Sequence, residues 1–422
     1  MYALLDCNNF FVSCERVFNP ALCHRPVVVL SGNDGCIIAR SNEAKAISIG
    51  MGQPFFKVQE LIRRHNVAYL SSNFALYGDM SRRVMSLVTE MVPRMSVYSV
   101  DECFMDLTDV ADYMTLCRKL ARRVQQCTGI PVSIGIAETM TLAKVAGKYA
   151  KQYAGYKGVC AIDTEEKREK ALRSFEVGDV WGIGRRLSKK LYYYGVNTAT
   201  DFCQMSEGRV RRLAGITGVR TWQELKGVAC IEFASSHPRQ SICTTRSFAR
   251  PCYEFDALLK YLAVFADSTC GKLRREKERA CRLSIFVSSS RFDQENRYAA
   301  SNEMSLPVAT ADPSELLPHI RSLLQEIYRP HVPYKQAGVI LSDIVTEAYQ
   351  LSLFDPIDRA RQERFLHAVD NIRGRYGRDS LAMAIQGVHE EKAVISSSKY
   401  RSRDYTTSLN EVIDIVLPPT KK

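Results

Sequence analysis

The chain has 422 residues, 46% of them apolar and 25% charged, with 58 Lys and Arg against 46 Asp and Glu, for a formal net charge of +12. That composition excludes a disordered or fibrous chain, and the length leaves room for about three domains of ~150 residues. The basic surplus points to a polyanionic partner, most economically nucleic acid.

The fourteen cysteines form no CxxC pair and the seven histidines are scattered singly, so no zinc site is expected. The N-terminus lacks the parts of a signal peptide, and no apolar stretch approaches membrane-spanning length. The expectation is a cytoplasmic protein with no membrane partner and reduced thiols that mostly pack.

Residues 1–12 read as a strand in which Tyr2-Ala3-Leu4-Leu5 delivers Asp6. From about 25 to 70, turns alternate with short amphipathic pieces, as in a small subdomain. Leu76, Met80, Val84, Leu87, Val88 and Met91 recur at three and four, predicting a helix over 73–92. A strand follows to Val100, then Asp101-Glu102, then a return strand over 103–107. A helix at 111–127, a strand at 132–136, a helix at 139–153 and a strand at 158–162 complete this part.

The order βαββαβ, with a long insertion after the first strand, is ferredoxin-like. It sets the first strand beside the middle hairpin, so Asp6 meets Asp101 and Glu102 across a sequence distance of 95 positions. Carboxylates brought from distant segments to rigid elements are what a two-metal phosphoryl-transfer site requires. Alone, a strand ending in Asp and an Asp-Glu turn are ordinary features.

Residues 165–235 read as helical and basic. Within them Trp181-Gly182-Ile183-Gly184-Arg185-Arg186 is a G-x-G turn before a helix, the pattern of a helix-hairpin-helix whose backbone N–H groups approach a DNA phosphate. Gly215-Ile216-Thr217-Gly218 is a weaker second copy. From 240 to 348 the pattern shifts to strands (281–290 and 336–344) and amphipathic helices. A helix over 257–277 ends in Lys272-Leu273-Arg274-Arg275-Glu276-Lys277, a basic end suited equally to a nucleic-acid backbone and to the helix dipole. Beyond Gln350-Leu351-Ser352-Leu353-Phe354-Asp355, a polar, basic tail has little with which to build a core; it is expected to order on a partner or stay mobile.

Taken together in their order and spacing, several segments resemble Y-family translesion DNA polymerases over about 1–350, and UmuC-type catalytic subunits of bacterial polymerase V over the whole length. They are Ala3-Leu4-Leu5-Asp6-Cys7-Asn8-Asn9-Phe10-Phe11-Val12-Ser13-Cys14-Glu15, Asn33-Asp34-Gly35-Cys36-Ile37-Ile38-Ala39-Arg40, Tyr98-Ser99-Val100-Asp101-Glu102, Leu142-Ala143-Lys144-Val145-Ala146, the Trp181 segment and Gln350–Phe354. The resemblance implies an α+β right hand. Its parts would be a ferredoxin-like palm (1–10 and 72–164), small fingers (11–71), a helix-hairpin-helix thumb (165–235) and an α/β little finger (240–348). A clamp-binding peptide and a partner-binding tail would fill 349–422.

It further implies error-prone, templated addition of deoxynucleotides opposite damaged bases, in an SOS-type response. Asp6, Asp101 and Glu102, with the Cys7 carbonyl, would hold two Mg²⁺ ions. Cys7, Asn8, Phe10, Phe11, Lys45 and Lys151 would line the nucleotide site. Phe11 would be the ring that rejects a ribose 2′-hydroxyl, while Phe10 is equally well a core aromatic. Gly182, Gly184, Arg185 and Arg186 would bind DNA, and Gln350, Leu351, Leu353 and Phe354 would dock on a sliding clamp. Beyond primer-template DNA, dNTP and the clamp, the implied partners are a UmuD′-type accessory dimer and a RecA filament. One departure stands out: where many relatives place Tyr and Arg against the triphosphate, this chain has Asn42 and Lys45, and Lys keeps the charge without the bidentate fork. Two rival readings are a non-catalytic DNA-binding scaffold and a nucleotide cyclase; primer extension and DNA binding, respectively, separate them from the polymerase.

Overall fold

The apolar run Tyr2–Cys7 forms β1, with Ala3, Leu4 and Leu5 buried on both faces. After it come α1 (Phe10–Phe18), β2 (Val27–Leu30), β3 (Ile37–Arg40), α2 (Asn42–Ala46), α3 (Phe55–Arg64), β4 (Ala68–Ser71) and α4 (Phe74–Met91). Next are β5 (Arg94–Val97), β6 (Glu102–Asp106), α5 (Tyr113–Thr128), β7 (Val132–Ala137), α6 (Met140–Gln152) and β8 (Val159–Ile162). The helical stretch consists of α7 (Glu165–Ser174), α8 (Arg185–Tyr193), α9 (Ala199–Cys203) and α10 (Glu207–Leu225). The last part has β9 (Ser241–Cys252), α11 (Phe255–Arg275), β10 (Glu278–Ser289), β11 (Ala299–Thr310), α12 (Pro313–Ile327), β12 (Tyr334–Thr346) and α13 (Arg359–Tyr376). This computed structural model describes residues 1–233, 238–293, 295–346, 355, 357–387 and 398–413. It divides into two units, one of Met1–Ser31, Gly35–Ser236 and Tyr400–Lys422, the other of Gly32–Asp34 and His237–Lys399.

In the first unit the main sheet runs β5-β6-β1-β7-β8. Its first four strands have the expected ferredoxin-like order and are antiparallel, and α6 adds β8 parallel to β7. α4 and α5 cover one face, burying Leu76, Met80, Val84 and Val88 with Ala3, Leu5 and Ile134. α6 covers the other, where Leu4, Ala143 and Ala146 join the core beneath α7–α10. All six residues of β7 are buried, as befits a central strand covered on both sides. The inserted subdomain is a sheet ordered β3-β2-β4 over Val28, Leu30, Ile37, Val58 and Ile62.

Two local readings are corrected. The strand expected to reach Val100 stops at Val97, and residues 98–101 form the turn, so Asp101 is a turn residue and Glu102 opens β6. The segment before Gly182 is one 3₁₀ turn, Val177–Asp179, rather than a helix. The weaker copy is a genuine break: Gly215, at φ 66° and ψ −166°, divides α10 in two.

In the second unit βαββαβ recurs, but the strands lie in the order β11-β10-β12-β9, all antiparallel, with α11 and α12 supplying the core. The tail departs from expectation, because its described parts pack on the chain itself. α13 buries no residue and is held by charge: Arg359 to Asp355 and Glu315 at 2.5 and 2.7 Å, Asp370 to Arg274 at 2.7 Å, and Arg373 to Asp267 at 2.9 Å. An apolar pattern cannot announce such a contact. Residues 400–413 belong to the first unit.

Candidate active site

The β1–β6 register pairs Asp6 with Glu102, and the Cys7 N–H donates to the Asp101 carbonyl at 2.9 Å. Three carboxylates thus converge at one end of the sheet. Each is engaged by this chain: Lys151 Nζ lies 2.5 Å from Asp6, Ser99 Oγ donates to Asp101 at 2.6 Å, and Lys144 Nζ lies 3.0 Å from Glu102. The β1–β6 register sets Asp6 opposite Glu102, whose charge acts on the Asp6 carboxyl. Burial pushes Asp6 up to about 7, aided by Glu102 and opposed by Lys151. Cys7 is buried and its thiol is pushed well above its ordinary value, which leaves the carbonyl as its available donor.

Among the described residues no three His, Cys, Asp or Glu side chains already surround a point where a metal ion would sit. The donor chemistry nevertheless fits a hard divalent cation, for the site offers oxygen donors, the three carboxylates and the Cys7 carbonyl. Asp6 and Glu102 face one another as like charges, a repulsion that the ammonium groups of Lys151 and Lys144 offset.

Both lysines come from α6, two turns apart on one face. That helix lies unusually close to the sheet, because a Cβ on Gly135 of β7 would fall 2.0 Å from the Gly147 nitrogen. Buried Glu224 secures its first turn by accepting from Thr141 N at 2.8 Å, while Thr139 Oγ1 donates to the Glu224 carbonyl at 2.9 Å. Lys144 also stands over the rings of Tyr98, Trp181 and Phe104 at 4.5, 5.5 and 5.8 Å. Trp181 donates Nε1 to the Tyr98 hydroxyl at 3.1 Å, tying the G-x-G segment to the acidic edge.

A second cation group arrives with the inserted subdomain. Lys45 donates to Asn9 at 2.6 Å and Asn42 at 3.2 Å. Burial lowers its pKa, and the charges of Arg40 and Lys151 lower it further, against Asp6. Arg40 donates to the Ile49 carbonyl, and its buried Nε has no hydrogen-bond partner among the described residues. Sequence reasoning assigned Arg40 no role; its place at the end of a strand leading into Asn42 and Lys45 was the available signal.

Phe10 is buried in the core, whereas Phe11 is only partly buried, stacked on Tyr77 with ring centroids 4.4 Å apart and edge-on to Phe74 at 5.9 Å. Asn8 accepts from Ser133 Oγ at 2.9 Å. Gly182 adopts φ 89°, and Gly184 caps α8 with no side chain over the helix N-terminus, where Arg185 and Arg186 are exposed. Gln350, Leu351, Leu353 and Phe354 lie outside the described residues. Among those described, no helix is long and apolar enough to cross a membrane.

A Y-family DNA polymerase chimera of Dbh and Dpo4 superposes with a TM-score of 0.68 at 18% identity, covering 82% of this chain and 99% of that one. An insertion ternary complex of Dbh DNA polymerase gives 0.53 over the same shares, also at 18% identity. The fold is that of the Y-family polymerases. The chain matches the impB/mucB/samB family over residues 5–148, the C-terminal domain of that family over 239–353, and a domain of unknown function (DUF4113) over 363–415. Its relatives include protein UmuC of Salmonella typhimurium, 37% identical over 98% of this chain and all of that protein, and protein ImpB of the same organism, 35% identical over 98% and 99%. A DNA polymerase IV of Desulfatibacillum aliphaticivorans is 26% identical over 88% and 93%. The chain belongs to the impB/mucB/samB family.

Proposed function

We propose that this family member extends a primer opposite damaged template by adding deoxynucleotides at the Asp6–Asp101–Glu102 edge, as an error-prone translesion DNA polymerase of an SOS-type response. The observation that carries the reading is the Asp6–Glu102 register with the Cys7–Asp101 hydrogen bond, which unites three carboxylates from two segments beneath a set of lysines. Asp6, Asp101, Glu102 and the Cys7 carbonyl would hold two Mg²⁺ ions. When bound, the ions supply Lewis acidity and charge neutralisation for phosphoryl transfer.

The chain's own groups do the rest. Lys45, Lys151 and Arg40 offer positive charge to a triphosphate, with the Arg40 guanidinium supplying the planar donor set that Lys45 lacks. Asn8, anchored by Ser133, shapes the turn leading to the sugar side, where Phe11 presents a ring against a 2′-hydroxyl; Phe10 supports it from the core. The backbone at Gly182 and Gly184, the open N-terminus of α8, and Arg185 and Arg186 suit a DNA phosphate.

The corresponding division is a palm of 1–10 and 72–164, fingers of 11–71, a thumb of 165–235 and a little finger of 240–348. Leu351, Leu353 and Phe354 have the short apolar spacing of a docking peptide, which supports a sliding clamp as partner. The likeness to protein UmuC supports a UmuD′-type dimer and a RecA filament as further partners. The test is primer extension on an abasic-site template with Mg²⁺ and deoxynucleotides, alone and with these partners, beside Asp101→Ala. Extension that disappears in the variant supports the reading; DNA binding without extension under every condition overturns it.

A further inference from the structure

Glu15 of α1 is a buried carboxylate at 1% exposure, and no step of nucleotide addition calls for it. The Tyr77 hydroxyl donates to its Oε1 at 2.7 Å, and the Ser402 hydroxyl donates to the same oxygen at 3.0 Å. Ser402 in turn accepts from the side-chain amide of Asn73, a fully buried residue whose Nδ2 also reaches the Arg403 carbonyl at 3.1 Å. The segment around Ser402 is built onto the subdomain by its backbone: Ser71 N–H donates to the Tyr400 carbonyl at 3.0 Å, Tyr400 N–H donates to Ser71 Oγ at 2.9 Å, and Ser71 and Arg401 form a parallel bridge. Two rings complete the seam, Tyr400 edge-on to Tyr69 at 4.8 Å and Tyr405 stacked on Phe18 at 4.9 Å.

This segment belongs to the stretch matched by the domain of unknown function. What it braces is specific. Tyr77, held through Glu15, is the ring on which Phe11 stacks at 4.4 Å with planes 14° apart. A buried carboxylate deprived of one of its two hydroxyl donors must rearrange or recruit water, and the hydroxyl left to it is that of Tyr77, beside the charge of Arg401.

We propose that residues 400–405 are an intramolecular strap in which Ser402 fixes Glu15, Glu15 fixes Tyr77 and Tyr77 backs Phe11, so that the C-terminal segment sets how firmly the site rejects a ribonucleotide. The inference rests on Phe11 being the sugar-facing ring. Ser402, Glu15 and Tyr77 are positioning residues here, since none of them touches substrate.

The test compares kcat/KM for deoxy- and ribonucleotide addition by the full-length chain carrying Ser402→Ala, Ser402→Thr, Tyr77→Phe or Phe11→Ala, with DNA affinity and thermal midpoint measured alongside. Ser402→Ala is expected to lower sugar selectivity about threefold to tenfold, the range of one lost hydrogen bond, and Ser402→Thr, which keeps the hydroxyl, to retain it. If Ser402→Ala does not fold, Tyr77→Phe reads the same relay with the ring preserved and should shift selectivity in the same direction. Relaxed selectivity in Phe11→Ala with unchanged selectivity in Ser402→Ala and Tyr77→Phe overturns the strap alone. So does an equal loss of activity toward both sugars in those two variants. Unchanged selectivity in Phe11→Ala overturns the sugar-facing reading itself, and the strap with it.

Discussion

Asp6 shows how much of this site is decided by competition within a few ångströms. Burial and the neighbouring Glu102 push its carboxyl up, Lys151 at 2.5 Å pulls it down, and burial prevails, leaving it at about 7. A divalent cation binds the ionised carboxylate, so below that pH protons compete with the ion and above it they do not. The Mg²⁺ concentration giving half-maximal extension should therefore rise by about tenfold per pH unit on descending below 7 and flatten above it, as a titration of activity against Mg²⁺ at several pH values will measure. Lys151→Met removes the group that lowers Asp6 and should move this inflection upward. Asp101→Ala should cut extension by about a thousandfold or more while leaving DNA affinity near wild type, to be read by single-turnover kinetics and a binding titration. The three carboxylates were legible in the sequence because Asp6 and the Asp101-Glu102 pair each follow an apolar run and stand within the short motifs that carry the family resemblance. Arg40, Trp181 and Tyr77 were not, because their contributions are relations to residues far along the chain, such as Trp181 Nε1 to the Tyr98 hydroxyl.

Among the elements, α6 has the most to carry, with Lys144 and Lys151 on its sheet edge and Glu224 bound at its first turn. Its approach to β7 depends on Gly135, where any Cβ would strike the Gly147 backbone. Gly135→Ala should cost about 2–4 kcal/mol in urea unfolding and reduce extension with it, since both lysines ride on the displaced helix. At α8, Arg185→Ala with Arg186→Ala should weaken DNA binding evenly across sequences and lower the slope of log K against log salt by about 2, measurable by a salt titration. α4 and α6 were readable from their apolar spacing. The hairpin before Glu102 was drawn too long, because Tyr98 and Val100 read as strand residues although they lie exposed in a turn. Periodicity reports which residue types recur; it does not report where a ladder of hydrogen bonds ends.

At the scale of the whole molecule, each unit is built on βαββαβ, yet the strand orders differ. Element order alone is compatible with either. The tail is the larger lesson. α13 is held to its unit through Arg359, Arg373 and Asp370, and Arg373→Ala would remove the ion pair of the buried Asp267 and leave it only the charge of Arg274, at a cost of about 1–3 kcal/mol to the unfolding of that unit. Replacing Leu353 and Phe354 with Ala should reduce clamp-dependent processivity alone; an equal fall in clamp-free synthesis would make that segment structural. What the sequence by itself determined was the family, the palm-like order of elements and the three carboxylates, because local apolar periodicity and short motifs encode these directly. Only the tertiary structure decided that Lys144 and Lys151 close on those carboxylates, that Arg40 joins Lys45, and that residues 400–405 lie along Ser71 and Glu15. Each of these is a contact between polar groups widely separated in the chain, and such groups carry no periodic signal to say which partner will satisfy them.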